Sequence, residues 1–126
     1  MLWHLERLLL AVASKHWRAM FWLFWSACTA MLLLPGAYVP EIHIWDKLEH
    51  ASIFLPMVWL GTLGYAQTLR LRVLAVLLQL YGMSIECLQY FVPGRSCSVL
   101  DMVADGVGIL LAVFTVVCWK QYVSRP

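Results

Sequence analysis

Charge is what this chain has least of. Lys and Arg number 9 and Asp and Glu 7, 13% of 126 residues, against 63% hydrophobic, where soluble globular chains are about 45–50% apolar. That scarcity argues against an ordinary soluble domain. The basic residues are scattered and form no stripe, so nucleic-acid binding has no support. Standard catalytic motifs are absent: no H-E-x-x-H, no G-x-S-x-G and no P-loop. The cysteines, Cys28, Cys87, Cys97 and Cys118, form neither a C-x-x-C pair nor a zinc-finger spacing. Three lie in apolar runs, where cysteine acts as a small hydrophobe, and Cys97 alone is expected to be exposed. Alternating segments of about ten residues, as a transmembrane barrel needs, are missing as well.

Long apolar runs are what the chain does have. A spanning helix needs roughly 20 mostly apolar residues, and four segments qualify, at about 18–36, 49–68, 73–92 and 99–118. Lipid cannot satisfy open backbone groups, so helices are expected. The fold predicted is all-α: an integral membrane four-helix bundle forming one domain over residues 1–126. The first apolar run follows Lys15 and Arg18, as a signal sequence would. Ser26 to Ala30 is followed by further apolar residues, Met31 to Leu34, so the run reads as a retained span. Before it, Leu5, Leu8, Leu9 and Val12, broadened by Trp3 and Leu10, form a helical stripe, which predicts a short interfacial helix over 2–16. Trp17, Trp45, Tyr90 and Trp119 fall near predicted helix ends, where amphipathic rings anchor at the interface.

Orientation follows from the loops. Arg7, Lys15, Arg18, Arg70, Arg72, Lys120 and Arg125 fall on one side, and only Lys47 and Arg95 on the other. The positive-inside rule then puts both termini in the cytoplasm of a cell whose inner membrane the chain crosses. Loops 35–47 and 92–98 face outward.

The acids are unevenly placed. Glu41, Asp46, Glu49, Glu86, Asp101 and Asp105 all map to the outer half, together with His43, His50 and Gln89; Glu6 is the exception. Asp46 and His50 share a helical face. Asp46 also suits an N-cap with Glu49 as its N3 partner, a structural explanation of equal standing. His50 lies a turn further in, where capping does not explain it. Glu86 sits roughly 9 Å below the outer end of its span at about 1.5 Å per residue, where an ionised acid costs at least about 2.5 kcal/mol. It must be protonated, paired with Arg95 or His50, or facing a wet cavity. Arg95 follows a Pro-Gly turn that can fold its guanidinium over the bundle mouth, ready for a carboxylate or phosphate. Ser98 and Asp101 form the S-x-x-D of a capping box, whereas Asp105, a turn deeper, has no such reason to be there. Asp101 and Asp105, near Glu86 and His50, are donors of a kind that divalent cations take. No metal signature accompanies them, and no metal or cofactor is expected. Gly106 and Gly108 suit a close helix approach.

Three segments carry a resemblance. D-K-L-E-H at 46–50, E-C-L-Q at 86–89 and P-G-R-S-C-S-V-L-D-M-V-A-D-G-V-G at 93–108 together resemble the VanZ-like family of small bacterial membrane proteins. That family is named for a member linked to resistance to the glycopeptide teicoplanin. The resemblance spans roughly residues 40–112. It implies a cell-envelope role, and it singles out Asp46, Lys47, His50, Glu86, Gln89, Arg95, Asp101 and the Asp105 position. The family usually has Asn where this chain has Asp105, and often a small Gly where it has Ala112.

Three functions compete. The favoured one is a non-enzymatic envelope protein that binds the polar part of a membrane lipid or a lipid-linked cell-wall component at the outer face. The second is an enzyme on such a substrate, with His50 and Glu86 as acid and base and Arg95 steadying negative charge. The third is a proton-linked transporter subunit. It requires a homo-oligomer and polar groups in the inner half, where only Gln67 and Gln79 stand.

Overall fold

A computed structural model describes residues 2–39, 43–66 and 68–124, with side chains over 13–39, 47–66 and 68–124. Four α-helices account for nearly all of it: α1 (Leu2–Leu32), α2 (His43–Tyr65), α3 (Leu71–Gln89) and α4 (Val99–Val123), with a single 3-10 turn at Gly36–Tyr38. No strand occurs among the described residues.

The separate N-terminal helix expected over 2–16 is not there; α1 runs unbroken through it. No Pro or Gly occurs between Leu2 and Leu32, so nothing interrupts the backbone ladder. The helix is about 46 Å long at 1.5 Å per residue. The stripe from Trp3 to Val12 lies outside the described side chains. α1 stops before Leu34-Pro35-Gly36, as expected. α2 begins at His43, six residues before the expected 49, so Asp46 lies inside its first turns and is not its N-cap. The side chains of Glu41, His43, Trp45 and Asp46, and the residues Gln67 and Arg125, lie outside the described set. α2 continues through Pro56 to Tyr65.

α2 is the central helix. It packs most extensively on α4 and next on α1, while α3 closes on α4. Phe54, Met57 and Val58 of α2 are fully buried among Ile109, Ala112 and Val116 of α4, Leu74, Leu78 and Ile85 of α3, and Phe21, Cys28 and Leu32 of α1. Gly108 sets the α2–α4 distance. A Cβ there would sit 2.9 Å from the Ala51 carbonyl carbon, so only glycine lets the two backbones approach this closely. Because Ala51 follows His50, the same approach brings His50 toward α4.

The helix ends form two distinct regions. At the first, α1 and α3 finish and α2 and α4 begin. There the Gly36 N–H donates to the Pro93 carbonyl at 2.9 Å. Gly94 adopts φ +75°, a left-handed conformation that favours glycine. At the other end, Arg18 Nε donates to the Gly64 carbonyl at 2.7 Å. Its guanidinium carbon lies 4.8 Å from the Tyr65 ring centre, and Trp22 Nε1 donates to Tyr65 Oη at 2.8 Å. α1 and α3 touch little, leaving between them an apolar groove of about 390 Å³ lined by Trp22, Trp25, Leu74, Leu77 and Tyr81.

The outside of the bundle is as greasy as its core. Leu110 is 69% exposed and Phe114 67%, with Val76 and Val103 similar. Among the described residues, α3 and α4 are each long and apolar enough to cross a membrane. Cys28 is buried, and Cys87, Cys97 and Cys118 are exposed and unpaired.

Candidate functional site: a buried histidine between carboxylates

Three helices meet in a polar cluster under the Gly36–Gly94 contact. His50 comes from α2, Glu86 from α3, and Asp101 and Asp105 from α4. All are buried; Glu86 and Asp105 have no exposed surface and His50 has 1%. In a bundle whose outer surface is apolar, this burial is the reverse of a soluble protein's arrangement.

The geometry around His50 is directional. His50 Nδ1 lies 2.8 Å from Asp105 Oδ1. With Asp105 ionised its carboxylate only accepts, so Nδ1 then carries the hydrogen and Nε2 is turned the other way. Nε2 lies 3.5 Å from Glu86 Oε1. The second oxygen, Glu86 Oε2, accepts from the Ser98 backbone N–H at 2.8 Å. Asp105 is pressed against α3 at Gly82, where a Cβ would overlap its carboxylate and approach Phe54 to 3.1 Å.

The capping box at the start of α4 is half formed. Ser98 Oγ accepts from the Asp101 N–H at 3.2 Å, as the S-x-x-D pattern predicts. The reciprocal bond to the Ser98 N–H is taken by Glu86, not Asp101. Asp101 is thereby left to face Lys47, whose Nζ lies 3.6 Å from Oδ1. Lys47 is partly exposed and forms the rim of the cluster.

Several buried atoms have no hydrogen-bond partner: His50 Nε2, Glu86 Oε1, Asp101 Oδ1 and Asp105 Oδ2. Buried polar atoms are rarely left so, because each costs about 1–3 kcal/mol. One ligand atom from each of His50, Glu86 and Asp101 lies within 4.8 Å of the other two. The arrangement can hold a proton between imidazole and carboxylate, or a cation among all three.

Gln89 and Arg95 are placed differently. Gln89 Nε2 donates to the Leu32 carbonyl at 2.8 Å. Arg95 donates from Nη2 to Leu32 at 3.1 Å and from Nε to Leu34 at 3.2 Å. These groups satisfy carbonyls at the end of α1, which has no basic residue in its own last turn, and a cation there suits the helix dipole. Of the residues expected at the site, the structure gathers His50, Glu86, Asp101 and Asp105, sets Lys47 at the rim, and turns Gln89 and Arg95 toward α1. Gly82 and the Ser98 N–H belong to the site although the sequence reading gave them no such role. A glycine inside an apolar helical run was the available signal for Gly82.

No curated protein and no solved structure matches the chain. A family model described as VanZ/LLP1 matches residues 7–120, nearly the whole length and every residue of the buried cluster. The chain therefore belongs to the VanZ/LLP1 family.

Proposed function

We propose that the protein is a multi-pass membrane protein of the bacterial cell envelope whose buried cluster acts on the polar part of a lipid-linked ligand at the outer face. In this reading all four helices cross the inner membrane, both termini are cytoplasmic, and the Gly36–Gly94 end faces outward. The apolar exteriors of α3 and α4 support insertion, because exposed surface of this kind is stable against lipid and not against water. The loop asymmetry in Lys and Arg supports the orientation.

The observation that carries the functional reading is His50 held by Asp105 while Nε2 and Glu86 Oε1 stay without hydrogen-bond partners. A cluster serving only to hold helices together would be expected to satisfy its atoms, since half-satisfied polar networks weaken a core. Lys47, at the rim against Asp101, supplies positive charge beside the cluster for an anionic headgroup or peptide carboxylate. A role in glycopeptide tolerance fits a protein that shields or masks such a component.

The test compares teicoplanin susceptibility and lipid extracts of cells carrying wild-type, Glu86→Gln and His50→Gln proteins at matched membrane abundance. Both variants are expected to lose the envelope phenotype. If both keep it, the cluster is a structural cap. A second reading, an enzyme using His50 and Glu86 as acid and base, is favoured by the single orientation that Asp105 imposes on the imidazole. It requires a product that mass spectrometry finds in wild-type extracts and not in the variants.

A further inference from the structure

We infer that His50, Glu86 and Asp101 form a binding site for a divalent transition-metal ion, with Asp105 and the Ser98 N–H as the groups that orient its ligands. The inference departs from the sequence expectation of no metal. The three ligands come from three helices, so no short spacing announces them.

Donor chemistry is the first argument. One imidazole nitrogen and two carboxylate oxygens are a mixed N/O set of the kind zinc and its neighbours take, with Zn–N and Zn–O bonds of about 2.0–2.2 Å. Such bonds in tetrahedral array set donor atoms about 3.4 Å apart. His50 Nε2 and Glu86 Oε1 are already 3.5 Å apart. One donor from each of the three residues falls within 4.8 Å of the others, and rotation of the Asp101 side chain would close the remainder.

The second argument is what each ligand's other atom does. Nδ1 of His50 is held by Asp105, the carboxylate–histidine arrangement that fixes the tautomer of metal-binding imidazoles. Oε2 of Glu86 is held by the Ser98 N–H. The far atoms are tied, while Nε2 and Oε1, 3.5 Å apart, and Asp101 Oδ1 are buried without hydrogen-bond partners.

Charge is the third. Within the cluster, three carboxylates face one ammonium, that of Lys47, and an imidazole. With the three carboxylates ionised and the imidazole neutral, a surplus of two negative charges would be left in a low-dielectric interior, where uncompensated charge is costly. One divalent ion removes it. Three protein ligands also leave a fourth position open, the pattern of reactive rather than purely structural sites. This site rests on the same residues as the functional reading, yet it can fail separately.

The decisive experiment uses the full chain, purified in lipid nanodiscs, stripped with chelator and titrated with Co²⁺ followed by Zn²⁺. Wild-type protein is expected to bind one Co²⁺ per chain, with the strong visible absorption of a low-coordinate site, and to lose it to Zn²⁺. Glu86→Gln and Asp101→Asn should abolish the signal while circular dichroism remains helical. Asp105→Asn should weaken binding by about 10–100-fold. Lys47→Met should tighten it severalfold, because Nζ competes for Asp101; a cluster without a metal gives no reason for that change. Absence of the Co²⁺ spectrum from wild-type protein overturns the inference, as does binding unchanged in both Glu86→Gln and Asp101→Asn. If wild-type binds no metal while Glu86→Gln still loses the envelope phenotype, the metal site falls and the functional reading stands. If metal binds but the phenotype survives its loss, the metal site stands and the functional reading falls.

Discussion

The two ends of the bundle solve the same problem in opposite ways. Each must accommodate charged side chains in an apolar chain. At the Arg18 end the charge is dispersed over a carbonyl and a ring: Nε on Gly64 and the guanidinium over Tyr65, which in turn accepts from Trp22. At the His50 end acids and imidazole are sealed in, and atoms from four side chains lack hydrogen-bond partners. The first is a fastening whose charge is met by its own contacts, with one buried hydroxyl near it, Thr62 Oγ1, left without a partner. The second holds bonding capacity in reserve, and that reserve separates a site from a structural contact.

Substitutions can break or sharpen this contrast. The largest effect is expected for His50→Leu, which leaves Glu86 and Asp105 buried without their shared partner. Removing one member of a buried pair costs about 3–5 kcal/mol, so the variant should fail to accumulate in membranes on immunoblots. Gly82→Ala comes next in its effect on the envelope phenotype. In most helices this change is favourable by about 0.5–1 kcal/mol; here the new methyl meets the Asp105 carboxylate. Overpacking of this kind costs about 1–3 kcal/mol, visible as a lower melting temperature together with loss of the envelope phenotype. Arg18→Met removes a charged hydrogen bond and a ring contact. It should cost about 1.5–3 kcal/mol in thermal denaturation and leave the phenotype intact. The smallest effect is Tyr65→Phe, which deprives Trp22 of its acceptor for about 0.5–1.5 kcal/mol. A phenotype lost in Arg18→Met at normal abundance would erase the distinction between the two ends.

Much of the cluster was legible because polarity is so scarce here. An acid such as Glu86 or Asp105, deep in a run of Leu, Val and Ile, has few explanations, and helical spacing put Asp105 one turn below Asp101. The four helices were legible for the complementary reason, their apolar length. The start of α4 at Val99 was legible too, but the starts of α1 and α2 were not. α2 begins at His43 because the mixed polar and apolar stretch 43–50 continues its helix, whereas hydropathy marks only where lipid-compatible residues begin. The roles of Gln89 and Arg95 were hidden too. They complete α1 from more than 50 residues away in sequence, and no local pattern encodes a cap supplied by a different helix. The diversion of the Ser98 N–H to Glu86 depends on α3 lying beside α4, which is a fact of packing and not of spacing.

The Gly36–Gly94 contact has a consequence for how the bundle meets its surroundings. It joins the α1–α2 connection to the α3–α4 connection through the Gly36 N–H and the Pro93 carbonyl, with no room for a side chain between the two glycines, and Arg95 adds side-chain bonds to Leu32 and Leu34 beside it. Amide groups do not titrate in the physiological range, and their mutual bond is little altered by salt. That main-chain bond is therefore deaf to acidity and ionic strength, while the ionisable groups beneath it are not. Hydrogen–deuterium exchange should find the Gly36 amide protected at the same level across buffers that change the state of His50. A signal reaching the interior then passes through a covering that stays indifferent to it.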